Sequence, residues 1–123
     1  ARVAVLDAMG ADGDWCASAL ALSEALMLVD RLGDDPERAD ALRRAMRDDW
    51  ELVNVIPVDA MCLERAGELG RAQPLRTVDA LHLAAADRLP RPVSYCTFAR
   101  QQIPAAAELG FTIISPYDGN SSA

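Results

Sequence analysis

Residues 74–86, PLRTVDALHLAAA, constrain the fold more than any other part of the chain. Leu81, Leu83 and the alanines that follow make this segment almost wholly apolar, and a helix that is apolar all round must be buried in a core. Thr77 is placed to cap the start of the helix with its hydroxyl. Asp79 falls in the first turn, where the positive end of the helix dipole stabilises a carboxylate. The segment therefore predicts a central buried helix that holds an acid rigidly near its start.

The composition is that of one ordinary domain. The chain has 123 residues, of which 51% are apolar and 25% charged. A chain of this size and composition can bury enough apolar surface to fold without disulfides or a structural metal. No apolar run approaches the ~20 residues needed to span a bilayer, and no signal-peptide pattern opens the chain. The three cysteines show no metal-binding spacing. We expect a cytoplasmic protein without disulfides, zinc or a membrane segment.

The charge balance limits how the chain could bind nucleic acid. All 12 basic residues are arginine, and the net charge is −7, whereas binding through bulk electrostatics needs a basic face. Any contact with phosphate must therefore be local, through metal ions and a few arginines. The chain also has no Gly-rich phosphate loop, no GxSxG segment and no Cys–His pair, which leaves nucleotide hydrolases and acyl-transfer enzymes without support.

Strand and helix patterns alternate along the chain. Short β-rich runs predict strands at residues 15–19, 52–58, 93–98 and 111–115. Helical patterns occupy residues 20–32, 36–50, 59–70, 77–90 and 103–109. This alternation predicts an α/β domain over residues 1–116 with a parallel sheet covered on both faces, and residues 117–123 as a polar tail. Ligands of such sheets bind outside the carboxyl ends of the strands.

Residues 74–86 resemble the PLRTLDALHLA signature of PIN-domain ribonucleases, above all the VapC-type toxins of type II toxin–antitoxin systems. The resemblance implies a three-layer α/β/α fold around a central parallel sheet. It also implies about four carboxylates that bind Mg²⁺ or Mn²⁺ and hydrolyse single-stranded RNA, because hard divalent cations prefer oxygen ligands. Asp79 matches the third acid of that set, as a catalytic and metal-ligating residue. Helix capping is its alternative role.

Glu24 matches the second acid. Residues 18–25, SALALSEA, resemble the family's SALTLVELL, which leads from a strand into a helix. A glutamate in an otherwise apolar helix would have a raised pKa if it were buried without a cation, a cost that a bound metal ion removes. The resemblance thus makes Glu24 a catalytic and metal-ligating residue with Asp79. An edge position, or a pair with an arginine, is the alternative.

The fourth acid of the family is missing. The family pattern is TFDxR, whereas residues 97–100 read TFAR, and Ala99 cannot ligate a metal. Residues 105–116 again resemble the family's AAAxLGFxVVSP ending, which supports the alignment around this position. The hydroxyl of Thr97 either holds a water at the site or belongs to an ordinary buried threonine.

Two arginines and the one histidine lie near these acids in the sequence. Arg76 and Arg100 flank the expected site and are candidate substrate-binding residues for phosphate, although each could equally be a surface charge. His82 follows Asp79 by three residues and shares its helical face. Catalytic and structural roles are both open for His82, and a structural role is the commoner one for a lone histidine.

The first acid is not placed either. The family opens with a strand ending in LDTSALVKL, and residues 3–8, VAVLDA, look superficially similar. Asp7 nevertheless lies too close to the strand at Trp15, because a parallel crossover needs a dozen or more residues. We therefore interpret residues 1–9 as the end of the family's first helix, with the opening strand absent. Three explanations stay open: the numbering begins inside a longer protein, a partner chain supplies the strand, or the domain is unusual.

The function indicated by the resemblance is an Mg²⁺- or Mn²⁺-dependent endoribonuclease that acts on RNA and is restrained by a cognate antitoxin. A degenerate PIN module that binds a partner or RNA without catalysis is the alternative, and Ala99 favours it. A small flavodoxin-like signalling domain is a third reading. It would require a lysine near an aspartate, and the chain has no lysine.

One helix is more apolar than a single core contact requires. Its face around Ala21, Leu28 and Leu32 predicts pairing with a second copy of the chain or with an antitoxin helix. We therefore expect a homodimer.

Overall fold

The computed structural model describes residue 10 and residues 13–32 and 35–117. Alternating strands and helices run through this part of the chain. In chain order they are β1 (Cys16–Ser18), α1 (Leu20–Leu32), α2 (Pro36–Trp50), β2 (Asn54–Ile56), α3 (Ala60–Ala72), α4 (Thr77–Asp87), β3 (Ser94–Cys96), a 3₁₀ turn (Arg100–Gln102), α5 (Ile103–Glu108) and β4 (Thr112–Ile114). The predictions for residues 1–9 and 118–123 lie outside the described residues.

The strands pair in parallel, as the alternation predicts. β1 pairs with β2, with Cys16 opposite Asn54, and β3 pairs with β4, with Ser94 opposite Thr112. Within the described residues these are two separate two-stranded sheets. The α/β fold with parallel strands is confirmed, and each strand is shorter than its apolar run suggests.

Helix α4 lies at the centre of the core. Leu83, Ala84 and Ala85 have no exposed surface, and Asp79 is 1% exposed. Helix α3 packs along α4 and contributes Cys62, which is also fully buried. Since alanine adds little volume, the alanines of α4 allow its neighbours to approach closely. The predicted burial of this helix is confirmed.

Aspartates cap two of the helices, but the predicted cap of α4 is wrong. The Asp35 carboxylate accepts from the backbone N–H of Glu37, and Asp59 accepts from that of Cys62, as N-caps do. Arg76, not Thr77, is the N-cap of α4, and its side chain caps no backbone group. The reason is that Ala80 N–H already donates to the carbonyl of Arg76, so Thr77 lies inside the first turn.

Helix α1 is the least buried of the long apolar segments. Val29 is its one buried residue, whereas Met27, Leu28 and Leu32 are 54%, 49% and 70% exposed. Its apolar surface therefore exceeds what its own core contact covers. No helix in the described ranges is long and apolar enough to cross a membrane.

Candidate active site

The candidate site lies where the chain leaves the strands. Ser18 is the last residue of β1, and Glu24 lies in the second turn of α1, which follows directly. Thr97 follows β3, and Asp79 is in the first turn of α4, a helix that packs against β1. This is the end of a parallel sheet at which ligands bind.

Four N–H groups surround the carboxylate of Asp79. Arg76 binds it with two, Nε donating to Oδ2 at 2.8 Å and a terminal nitrogen donating to Oδ1 at 3.1 Å. Gln102 Nε2 donates to Oδ1 at 2.7 Å, and Gln101 Nε2 lies 3.4 Å from Oδ2. A carboxylate has about four lone-pair sites. Its hydrogen-bonding capacity is therefore filled by protein groups.

The amide of Gln102 connects Asp79 to a buried polar network. Its Oε1 accepts hydrogen bonds from Tyr95 at 2.9 Å and from Thr97 at 2.8 Å, while its Nε2 donates to Asp79. The opposite amide orientation would place Oε1 against a carboxylate, so the network determines which way the amide points. The backbone N–H of Ala99 donates to the Thr97 hydroxyl at 3.0 Å. Thr97 is thus a buried structural threonine here.

These contacts keep Asp79 ionised although it is buried. Burial alone raises the pKa of the carboxyl, but the hydrogen bonds from Arg76 and Gln102 and the charge of Arg76 outweigh it, so the pKa is lowered. Burial raises the pKa of Tyr95, and the nearby negative charges of Asp79 and Glu24 raise it further. Tyr95 therefore remains a neutral hydroxyl donor.

Glu24 belongs to a second hydrogen-bonded chain. Its Oε1 is hydrogen-bonded to Nε2 of His82, and the other ring nitrogen, Nδ1, lies 2.6 Å from the hydroxyl of Ser18. Glu24 is 47% exposed, whereas the His82 side chain is 15% exposed and Ser18 is buried. Among the described residues the glutamate is therefore paired with a histidine and not with an arginine, and it faces partly into solvent.

The two acids influence the same groups without touching each other. The hydrogen bond to Asp79 raises the pKa of Arg76, and the charge of Glu24 adds to that increase. Tyr95 responds to both acids in the same way. Across residues 13–32 and 35–117, however, no three His, Cys, Asp or Glu side chains gather as a metal cluster. The assignment of Glu24 and Asp79 as metal ligands stays a prediction.

Of the two candidate phosphate-binding arginines, one is at the acids and one is not. Arg76 is the partner of Asp79, and its side chain is 66% exposed. Arg100 instead stacks its guanidinium over the ring of Tyr117, 4.4 Å from the centroid. It forms no ion pair within the described part of the chain.

Sequence reasoning missed Gln102 and Ser18. Gln102 is 23 residues from Asp79, and Ser18 is 64 residues from His82. A weak signal existed for Ser18, because a polar residue at the end of a buried strand faces the ligand-binding edge. No local pattern pointed to Gln102.

The donor set suits a single hard cation under one condition. Mg²⁺ retains several waters and commonly uses one or two protein carboxylates, so one ion would need no protein ligands beyond Glu24 and Asp79. Because the oxygens of Asp79 are already saturated, Arg76 would have to leave. Its large exposure makes it the one strong partner of Asp79 that can turn outward without opening the core.

Comparison with known proteins identifies the family of the chain. The model of the PIN domain family matches residues 1–90. Ribonuclease VapC46 from Mycobacterium tuberculosis (strain ATCC 25618 / H37Rv) is 35% identical over 81 residues, which cover 65% of this chain and 62% of that protein. The match therefore spans less than two thirds of the relative's length. No solved structure matches the chain significantly. The chain belongs to the PIN domain family.

Proposed function

We propose that the chain is part of a VapC-type endoribonuclease that cleaves single-stranded RNA with Mg²⁺ or Mn²⁺. The observation that carries the proposal is Asp79, a carboxylate 1% exposed, kept ionised, and located at the ligand-binding end of parallel strands. Family membership and the ribonuclease relative support the same chemistry.

In this proposal Glu24 and Asp79 hold the metal ion between α1 and the start of α4. When bound, the ion supplies a polarised water and neutralises charge that builds on the phosphate. The protein contributes orientation, because Gln102 and the hydroxyls behind it keep Asp79 in one position. A missing acid at Ala99 argues for a single ion and not for a two-metal pair.

Arg76 has two roles in the proposal. Without a metal ion its guanidinium neutralises Asp79. Once displaced, it lies beside the site as a free planar cation, which can bind a phosphate oxygen pair. This local contact compensates for the acidic net charge of −7, which otherwise opposes RNA binding. Arg100 is the second candidate phosphate contact, and it would have to leave the ring of Tyr117.

The proposed partners are an RNA substrate, a cognate antitoxin and a second copy of the chain. The exposed apolar surface of α1 supports a protein partner, since Leu28 and Leu32 of this helix are 49% and 70% exposed. We place the protein in the cytoplasm, where RNA and a paired antitoxin meet. The three cysteines are free, as a reducing compartment requires.

A non-catalytic PIN module is the second candidate, and two observations favour it. Ala99 occupies the position of an acid, and Asp79 is fully engaged by protein donors. In that case the arginine pair is permanent and the acids are structural.

Isothermal titration with Mn²⁺ and a single-stranded RNA cleavage assay separate the two candidates. We expect the parent chain to bind Mn²⁺ and cleave RNA, and Glu24→Gln and Asp79→Asn to lose both. Asp87→Asn is the matched control, because Asp87 is an arginine-paired acid on the same helix, at its opposite end. It should keep both properties. Absence of heat and cleavage in the parent would leave the binding module.

A further inference from the structure

We propose that Ser18 and His82 form a positioning relay that aims the carboxylate of Glu24, which rests on the proposed role of Glu24 as a ligand. The contacts are continuous: Ser18 Oγ lies 2.6 Å from His82 Nδ1, and His82 Nε2 is hydrogen-bonded to Glu24. His82 is thus a positioning residue, since in this proposal it contacts Glu24 and neither the metal ion nor the substrate.

The chemistry of the three groups assigns the proton on the ring. An ionised carboxylate only accepts, so the hydrogen between Glu24 and His82 must be on Nε2. The buried hydroxyl of Ser18 has no other hydrogen-bond partner within the described residues, so its hydrogen is satisfied only by donation to Nδ1. Both conditions are met by the neutral ring with its proton on Nε2.

The relay connects an exposed side chain to rigid residues of the core and so restricts its conformations. Ser18 is 4% exposed at the end of β1, and His82 projects from the buried helix α4. Glu24, in contrast, is 47% exposed on α1 and, if unbound, would sample several rotamers. The hydrogen bond from His82 fixes Oε1 of Glu24 and so restricts the side chain to one orientation. The lone pairs that remain free then point in a fixed direction, as those of a metal ligand must.

The order serine, histidine, glutamate also occurs in hydrolytic triads, but this chain does not build one. Ser18 is buried, so no substrate carbonyl can reach its hydroxyl. The backbone N–H that follows it, on Ala19, already donates to the carbonyl of Ile56 at 2.9 Å. That N–H therefore cannot stabilise an oxyanion. The arrangement has orientation as its function.

The ring proton can be observed directly in the metal-free protein. His82 is the one histidine of the chain, so a ¹H–¹⁵N long-range correlation spectrum contains a single imidazole. We expect the proton of the neutral ring on Nε2, with Nδ1 as the acceptor of the Ser18 hydroxyl. A neutral ring with its proton on Nδ1 overturns the relay, whether or not the protein binds metal or cleaves RNA.

Two substitutions of His82 then test whether its hydrogen bond orients the carboxylate of Glu24. The amide nitrogen of His82→Gln can take the place of Nε2, whereas that of His82→Asn can take only the place of Nδ1. We expect His82→Gln to keep Mn²⁺ affinity within about threefold of the parent. His82→Asn should lose on the order of tenfold, as is usual when the group behind a ligand is removed.

The outcomes distinguish the relay from the proposed function. Equal Mn²⁺ affinities for His82→Gln and His82→Asn, both folded by circular dichroism, overturn the relay. If the parent itself binds no Mn²⁺, the proposed function fails, and the imidazole spectrum alone decides whether the relay exists. If His82→Asn does not fold, Ser18→Ala replaces it. It should lose about the same affinity, and Ser18→Thr, which keeps the hydroxyl, should restore it.

Discussion

Asp79 shows how a carboxylate can stay ionised while it is buried. It is 1% exposed, and an ionised carboxylate in such a place is costly unless donors replace its water. Arg76 supplies two of these donors from solvent, and Gln102 supplies one from the core. The Arg76 side chain is exposed, whereas the amide of Gln102 is buried and hydrogen-bonded to Tyr95 and Thr97. These two partners of Asp79 therefore differ in how freely they can move.

Replacing Gln102 should damage the fold more than any exposed change near the site. Gln102→Leu removes the donor to Asp79 and leaves the hydroxyls of Tyr95 and Thr97 without their acceptor. We expect the free energy of unfolding in urea to fall by about 2–4 kcal/mol, since each unsatisfied buried group costs about 1–3 kcal/mol. Gln101→Ala, an exposed neighbour with a long contact, should change it by less than about 0.5 kcal/mol. Equal effects would show that the network is not what holds Asp79.

At the scale of elements, helix α4 has acids at both ends. Asp79 lies at the favourable, positive end of the helix dipole, whereas Asp87 lies at the negative end, where a carboxylate is destabilising. Arg65 and Arg91 offset this by binding Asp87 at 2.8 Å and 2.5 Å. Arg91 also donates to the carbonyl of Asp87, the last residue of the helix, and to that of Leu89 just beyond it. The helix is thus closed at its C-terminus by arginines, including one from α3.

The change in the free energy of unfolding with pH should reveal the ion pairs of Asp87 with Arg65 and Arg91. Burial raises the pKa of Asp87, but its hydrogen bonds with Arg91 and Arg65 outweigh that effect and lower it below 3.8. A lowered folded-state pKa stabilises above the unfolded-state pKa, and that stability is lost as the pH falls through the folded-state pKa. Asp87→Asn should therefore lower the free energy of unfolding by about 1–2 kcal/mol at pH 7, and by progressively less below about pH 4.

Urea unfolding of the parent and Asp87→Asn at neutral and acidic pH measures this difference. The exposed Asp48 of α2, which forms no ion pair within the described residues, provides the control. Asp48→Asn should change the free energy of unfolding at neutral pH by less than about 0.5 kcal/mol. A difference between parent and Asp87→Asn that stays constant into acid would contradict a lowered pKa at Asp87.

At the scale of the whole molecule, the apolar surface is uneven. The core around α4 is closed, whereas α1 exposes Met27, Leu28 and Leu32 at 54%, 49% and 70%. Exposed apolar side chains that share one helix make this strip of α1 a candidate protein interface. Because Glu24 is on the same helix, a partner bound along α1 would lie next to the candidate site.

We expect the parent to sediment as a dimer at micromolar concentration and Leu28→Gln/Leu32→Gln to sediment as a monomer. The reason is that two exposed leucines on one helix face are the largest removable part of this strip. Leu63→Gln is the control, since Leu63 of α3 is 55% exposed on another helix. A parent that is monomeric at every concentration would exclude a second copy as the occupant and leave the antitoxin helix.

The helices could be predicted from the sequence because their signals are local. Apolar spacing and the alanine-rich run after Asp79 act within a few residues of the helix they define. The strands were predicted in order and direction but not in length. Pairing with a distant partner, and not the run of apolar residues, decides where a strand ends.

What the sequence by itself determined was the α/β alternation, the burial of α4 and the position of Asp79 at its first turn. What only the tertiary structure decided was which residues hydrogen-bond to the acids. Gln102 donates to Asp79, and His82, which also contacts Ser18, is hydrogen-bonded to Glu24. The physical reason is range. Helix formation and dipole effects act over one or two turns, whereas a buried hydrogen bond pairs whichever donor and acceptor the packed core brings together, over separations of 23, 58 and 64 residues here.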